Sequence, residues 1–239
     1  MSLRLWILGA TLTCLFAASR PALGAQDAEK RELPQAKSHY VLVKPRGFDA
    51  NKTYDLIIAL HGAGDRAENY AGIFWRFLNG RECLLAVPEG SAKVGPGFAW
   101  TTDDLNAVTE MLEDLKKAAK YDPKRVLLTG HSAGSLIGWY IAVKKPELFA
   151  FYGQTAQGVA PAVNWLFKEN ELAAIAGKMP VYFGLGTKDP NQPNFEPSRK
   201  LLEKHKFNLK CEAPEIGHTI TPEEVKNMLA HFDATVKKP

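Results

Sequence analysis

The stretch Arg125-Val126-Leu127-Leu128-Thr129-Gly130-His131-Ser132-Ala133-Gly134-Ser135-Leu136-Ile137-Gly138-Trp139 decides the fold. Its first part carries a short, continuous apolar run, the mark of a strand buried on both faces. From residue 135 to residue 145 the pattern turns helical, and Pro146 closes it. Between the two lies Gly130-His131-Ser132-Ala133-Gly134, which fits Gly-x-Ser-x-Gly. A sharp strand-to-helix turn of this kind strains the serine backbone and lifts its hydroxyl above the sheet. Glycines flank the turn because a side chain there would strike the neighbouring strand and helix. Five residues alone would equally suit a small-residue turn packing a helix on a strand. The strand before and the helix after make Ser132 the candidate nucleophile.

Working outward, strand-like and helix-like runs alternate. Strands are expected over residues 39–44, 54–60, 83–87, 125–129, 149–153, 181–185 and 208–213. Helices are expected over 67–78, 102–120, 135–145, 164–178 and 197–205, with a final one from Thr221. Residues 91–97 read as a Gly/Pro loop. Thr221 can cap the last helix, Pro222 suits its first turn and Glu224 completes a capping box. This alternation predicts an α/β fold with a mostly parallel sheet covered by helices on both faces. Ligands of such sheets bind beyond the carboxyl ends of the strands.

Two more strand ends carry unusual residues. His61-Gly62-Ala63-Gly64 follows the run ending at Leu60. A glycine turn there leaves backbone N–H groups free to face the charge that develops on a carbonyl oxygen. The N–H of Ala63, with Gly62 as the alternative, and the N–H of Ala133 are the candidate oxyanion donors. Asp189 follows the strand at 181–185, and His218 follows the last strand. A serine nucleophile needs a base within hydrogen-bond reach, and the base needs an acid to hold its tautomer. The chain order Ser132, Asp189, His218 suits those roles. Of the other histidines, His39, His205 and His231 read as surface, and His61 and His131 as braces inside their turns. Trp100, with Gly95, Gly97 and Phe98, and Trp165, with Phe167, are candidates to line a substrate pocket.

These residues resemble those of the α/β-hydrolase superfamily. The chain is similar to compact carboxylesterases, acyl-thioesterases and dienelactone-hydrolase-like proteins, and to secreted polyhydroxybutyrate-depolymerase-like and feruloyl-esterase-like esterases. Leu60 to Asp65 is close to the oxyanion turn of the first group, and Asp122 to Gly134 to the second. The resemblance covers about residues 38 to 236. It implies an ester hydrolase working through an acyl-enzyme, without a cofactor or a metal, on a small-molecule or polymer-borne ester. It also implies that the nucleophile strand lies near the centre of the sheet. Cys83 then falls on an inner strand and Cys211 near an edge, so both are expected as free thiols. A serine peptidase or thioesterase of this fold, or a non-catalytic binding protein built on it, are the other readings.

The remaining features bound the setting. At 239 residues, 46% hydrophobic and 23% charged, the chain suits one domain with a full core. Residues 1–24 carry Arg4, an apolar run and the small-residue site Ala22-Leu23-Gly24, the pattern of a secretory signal peptide. Residues 25–37 read as an N-terminal extension and residues 38–239 as a single domain, secreted or periplasmic, with no membrane attachment after cleavage. Cleavage removes Arg4 and Arg20 and no acid, taking the net charge from +4 to +2. A chain so near neutrality, with dispersed lysines, makes no case for nucleic acid. No Cys/His cluster has metal spacing. Only residues 154–163 separate a strand from the next helix, which leaves no room for a large lid domain.

Overall fold

The computed structural model describes residues 28–160 and 165–237. The expected signal peptide lies outside them, as does Asn164, the expected start of a helix. In chain order the elements are β1 (Ala28–Leu33), β2 (Ser38–Val43), β3 (Tyr54–Leu60), α1 (Ala67–Phe77), β4 (Cys83–Pro88), β5 (Ala92–Val94), β6 (Gly97–Ala99), α2 (Asp104–Ala118), β7 (Tyr121–His131), α3 (Ala133–Lys144), β8 (Phe151–Thr155), α4 (Glu169–Ile175), β9 (Val181–Gly184), α5 (Phe195–Lys204), β10 (Leu209–Glu212) and α6 (Pro222–Thr235). Eight strands form one sheet in the order β1-β2-β4-β3-β7-β8-β9-β10. The run from β4 to β10 is parallel throughout, and β1 and β2 pair antiparallel at one edge.

Strand alternation builds two cores. Leu56, Ile58 and Leu60 of β3 face the core shared with α2, α3, α4 and α5. Ile57 and Ala59 point the other way, to α1 and α6. Helix α3 is buried nearly all round, which explains why its sequence shows no polar face. Its close approach depends on glycines. A Cβ on Gly130 would lie 2.3 Å from the Gly134 carbonyl oxygen, and one on Gly134 would lie 2.2 Å from that of Leu60. No side chain fits at either position, so the helix start sits directly on β7 and β3.

The structure departs from the sequence expectation in places. Residues 28–33, expected as part of an extension, form edge strand β1. Their charges hid the alternation, and Arg31 reaches across to Asp114 at 2.6 Å. Residues 91–97 are not an irregular loop but contribute most of the hairpin of β5 and β6. Helix α4 begins only at Glu169, because the Glu171 carboxylate accepts the Lys168 N–H (2.8 Å) and fixes the first turn there. His39 is buried, not on the surface, with Nε2 3.0 Å from Glu68 Oε1. Cys83 lies on β4 and Cys211 on edge strand β10, and both are free. Four strands separate them, and strands lie about 4.8 Å apart, whereas a disulfide needs Cα atoms within about 7 Å. Among the described residues no helix is long and apolar enough to cross a membrane, and no domain is inserted between β8 and α4.

At the amino ends of the strands, Arg125 is buried and forks onto both oxygens of Asp55, at 2.6 and 2.9 Å. It also reaches Asp233 of α6 at 2.8 Å and the Val236 carbonyl. Arg81 bonds the same two aspartates. Burial alone would raise the Asp55 carboxyl; hydrogen bonds from Arg125 and then Arg81 outweigh it and hold the carboxyl below its ordinary value near 3.8. Breaking a buried pair of this kind costs about 3 kcal/mol or more. Arg125→Met is therefore expected to lower the unfolding free energy measured by urea denaturation by that amount. The folded carboxyls bind protons less readily than the unfolded ones, so stability is full above the ordinary carboxylate pKa and falls as the pH drops through it. Titrating thermal stability of wild type and variant from pH 7 to 3 checks this: the wild type should lose stability more steeply. Gly134→Ala should push α3 off β3, lower the melting temperature and remove any activity that depends on the elbow. A variant as stable and active as the wild type would show that the packing is looser than described.

Candidate active site

Three strand ends meet above the sheet. At the end of β7, Ser132 has φ 54° and ψ −118°, a left-handed backbone held by its surroundings. Its N–H donates to the Thr155 carbonyl at the end of β8 (3.0 Å), and its own carbonyl receives the Ser135 N–H (2.9 Å). Non-glycine residues at positive φ are strained, and such strain persists only where neighbours over-determine it. Here strand, helix and β8 all fix the turn, and the side chain is left pointing out.

His218 Nε2 lies 2.8 Å from Ser132 Oγ, and its Nδ1 lies 2.9 Å from Asp189 Oδ2. The Asp189 side chain is wholly buried, while His218 is partly open. Asp189 uses its second oxygen to accept the Asn191 N–H at 2.8 Å. The acid loop and the histidine loop are joined through their backbones. Thr187 N–H donates to the Pro214 carbonyl (2.8 Å) and Lys188 N–H to that of Ile216 (3.0 Å). A Cβ on Gly186 would lie 2.2 Å from the Ile216 oxygen, so Gly186 permits this contact. The capping box of α6 then anchors the end of the histidine loop, with Glu224 accepting the Thr221 N–H at 3.0 Å.

The turn after β3 is held from behind. His61 is fully buried. Its Nε2 lies 3.2 Å from the Gly90 N, which can only donate, and its Nδ1 lies 2.8 Å from the Gly62 carbonyl, which can only accept. The ring is therefore neutral with its proton on Nδ1, and burial lowers its pKa accordingly. The Gly62 carbonyl also receives the Asp65 N–H at 3.3 Å. In a trans peptide the N–H points opposite to the carbonyl. Anchoring Gly62 O thus aims the Ala63 N–H away from His61. Gly64 N–H is committed to the Phe98 carbonyl at 2.8 Å. Ala133 is the first residue of α3, where N–H groups have no partner inside the helix and the helix dipole favours negative charge.

The expected pocket tryptophans separate. Trp100 is fully buried and cannot touch a ligand; its indole N–H donates to the His61 carbonyl at 2.8 Å and its ring packs on His61 at 4.6 Å. It supports the turn instead of lining a pocket. Trp165 is 53% exposed. Sequence reading missed Thr155, whose carbonyl fixes the Ser132 backbone, and Gly90, whose N–H sets the His61 tautomer. Thr155 does end a strand next to β7, which is a usable signal; Gly90 carries none. One grouping has metal-like composition: His39, Glu68 and Glu89, whose ligand-type atoms lie within 4.8 Å of one another. The Arg66 guanidinium already meets it, 3.2 Å from Glu89, and the Ala67 N–H takes the other Glu89 oxygen at 2.6 Å.

The comparisons with known proteins bear on the fold and the family. The fold matches a ferulic acid esterase of Anaeromyces mucronatus solved with ferulic acid, at TM-score 0.69 and 15% identity, over 87% of this chain and 89% of that one. It also matches the feruloyl esterase module of Clostridium thermocellum, at TM-score 0.64 and 17% identity, over 88% and 86%. A putative dipeptidyl aminopeptidase IV of Bacteroides ovatus matches at TM-score 0.70 and 14% identity, over 88% of this chain and 36% of that one. These likenesses show the fold, which hosts more than one activity. In sequence the chain is 28% identical to poly(3-hydroxyalkanoate) depolymerase C of Paucimonas lemoignei over 141 residues, 52% of this chain and 30% of the relative. The chain thus matches less than a third of that protein's length. Residues 94–225, more than half of the chain, match the dienelactone hydrolase family, a branch of the α/β-hydrolase superfamily. The chain belongs to that family.

Proposed function

We propose that the protein cleaves esters through an acyl-enzyme formed on Ser132, with His218 as the base and Asp189 as its orienting acid. The observation that carries this reading is the pair of contacts at His218, 2.8 Å to Ser132 Oγ and 2.9 Å to Asp189 Oδ2. Ser132 Oγ attacks the ester carbonyl carbon while its proton passes to His218 Nε2. The carbonyl oxygen becomes negative and is met by the N–H groups of Ala63 and Ala133. Fixed donors of this kind are worth about 3 kcal/mol each in comparable sites. Collapse expels the alcohol, which takes the proton from His218. Water then attacks the acyl-enzyme by the reverse roles and frees the acid. Asp189, buried and bonded to Nδ1, keeps the imidazole in the tautomer that leaves Nε2 open and stabilises the imidazolium.

The substrate is an accessible ester, small or borne on a polymer. The uncovered site suits it, and so does the likeness to a protein named as a polyester depolymerase. Trp165, exposed on the segment before α4, offers an apolar surface to such a ligand. We place the mature protein outside the cytoplasm, with residues 1–24 removed as a signal peptide, because their apolar run and small-residue site suit signal peptidase.

Hydrolysis of p-nitrophenyl acetate, compared with an aminoacyl-anilide, tests the reaction class. Ester turnover is expected, with anilide turnover absent. Ser132→Ala should abolish it, and Asp189→Asn should lower kcat by roughly 10⁴, as loss of the orienting acid does in other triads. Full ester turnover in Ser132→Ala would refute the assignment. When the full chain is exported from a host, N-terminal sequencing should find the mature end near residue 25; an intact Met1 would refute the signal peptide.

A further inference from the structure

His131 is the one imidazole beside the triad that the proposed reaction leaves unused. Its place is well defined. Nδ1 lies 3.1 Å from Thr155 Oγ1, which itself reaches the Gly130 carbonyl at 3.3 Å, so one edge of the ring is pinned to β8. The other edge borders the reacting centre. A Cβ on Gly62 would lie 3.4 Å from His131 Cδ2 and 3.6 Å from Ser132 Cβ, so ring edge and nucleophile flank the same space under the oxyanion turn. The ring packs against that of His218 with centroids 5.3 Å apart. The residue is partly exposed. Nε2 has no hydrogen-bond partner among the described residues, and it is not one of the fully buried polar atoms left without one, so it is accessible. Burial and then the neighbouring His218 push the His131 pKa down to about 3, which keeps it neutral and out of competition as a base.

A neutral imidazole nitrogen at this point can bind one neutral polar group. In the reaction above, the leaving oxygen takes its proton from His218 Nε2, so the alcohol half of the ester lies along His218. The His131 ring packs beside the His218 ring, with centroids 5.3 Å apart. We infer that His131 Nε2 binds a hydroxyl of the departing alcohol, making His131 a specificity residue for esters of diols and polyols. A hydroxyl suits either ring tautomer, since it can both donate and accept. The site is open to water, so the gain is that of one net neutral hydrogen bond, about fivefold in kcat/KM.

This inference rests on the Ser132 reading, and the test separates the two. Wild type is first treated with a fluorophosphonate; failure to label at Ser132 would remove the reading and the inference together. Rates are then compared within two pairs: 2-hydroxyethyl butyrate against ethyl butyrate, and p-nitrophenyl 3-hydroxybutyrate against p-nitrophenyl butyrate. The first pair should show about a fivefold preference for the hydroxylated ester. That ratio should fall to near one in His131→Leu and be kept in part by His131→Gln, whose amide restores a polar atom. The second pair should show no change in its ratio between wild type and variants. If the wild type labels but shows no preference in the first pair, the inference is wrong and the reaction stands. A preference that survives His131→Leu, or one confined to the acyl-side pair, also overturns it. Should His131→Leu fail to fold, the wild-type ratio and the His131→Gln ratio decide.

Discussion

The structure depends on one steric constraint, the junction at which β7 becomes α3. Ser132 sits there at φ 54°, a conformation that an L-residue adopts only under compulsion. The compulsion comes from close backbone contact. Gly130 lies against Gly134 and Gly134 against Leu60, each with no room for a Cβ. The packing that strains the serine also brings β3 beside β7, and so carries the His61 turn next to the hydroxyl. The strain and the juxtaposition are thus one feature. Opening the junction would relieve the first and dissolve the second.

The other parts of the site are arranged around this fixed point by parallel register. Strands β3, β7, β8 and β9 run in the same direction, so their carboxyl ends face one way. The acid leaves from β9, the histidine follows edge strand β10, and backbone hydrogen bonds between the loops bring both toward the sheet centre. Behind the oxyanion turn, His61 is read by partners whose roles are fixed, a backbone N–H on one nitrogen and a carbonyl on the other. A proton on Nε2 would face the Gly90 N–H and undo the brace. A second neutral histidine, His131, packs against the one that is proposed to accept a proton. At the far end of the strands the Asp55, Arg81, Arg125 and Asp233 cluster ties α6 to the sheet, and α6 begins just after the histidine loop.

Much of this was legible in the residues themselves. The short apolar runs at 56–60, 83–87 and 181–185, alternating with helical patterns, pointed to a parallel sheet, because its strands are buried on both faces. The order of Ser132, Asp189 and His218 along three strand ends was visible before any distance was known. What stayed hidden had physical reasons. The charged strand β1 looks like a tail because an edge strand of alternating charge and apolar stem leaves little hydropathy pattern. Trp100 looked like a pocket residue because aromatic content does not say which side of a turn a ring occupies; its indole N–H needed a buried acceptor and found the His61 carbonyl. Gly90 and Thr155 act through backbone atoms, which every residue has, so side-chain chemistry could not mark them.

The central claim is that the strained serine, and no other side chain, carries the acyl group. Its most direct test is to quench turnover of a short-chain p-nitrophenyl ester in acid and map the trapped adduct by peptide mass spectrometry. The account predicts an acyl group on the peptide that contains Ser132, absent from Ser132→Ala and accumulating when Asp189→Asn slows deacylation. An adduct on any other residue, or ester turnover with no covalent species in a chain that retains its fold, would contradict it.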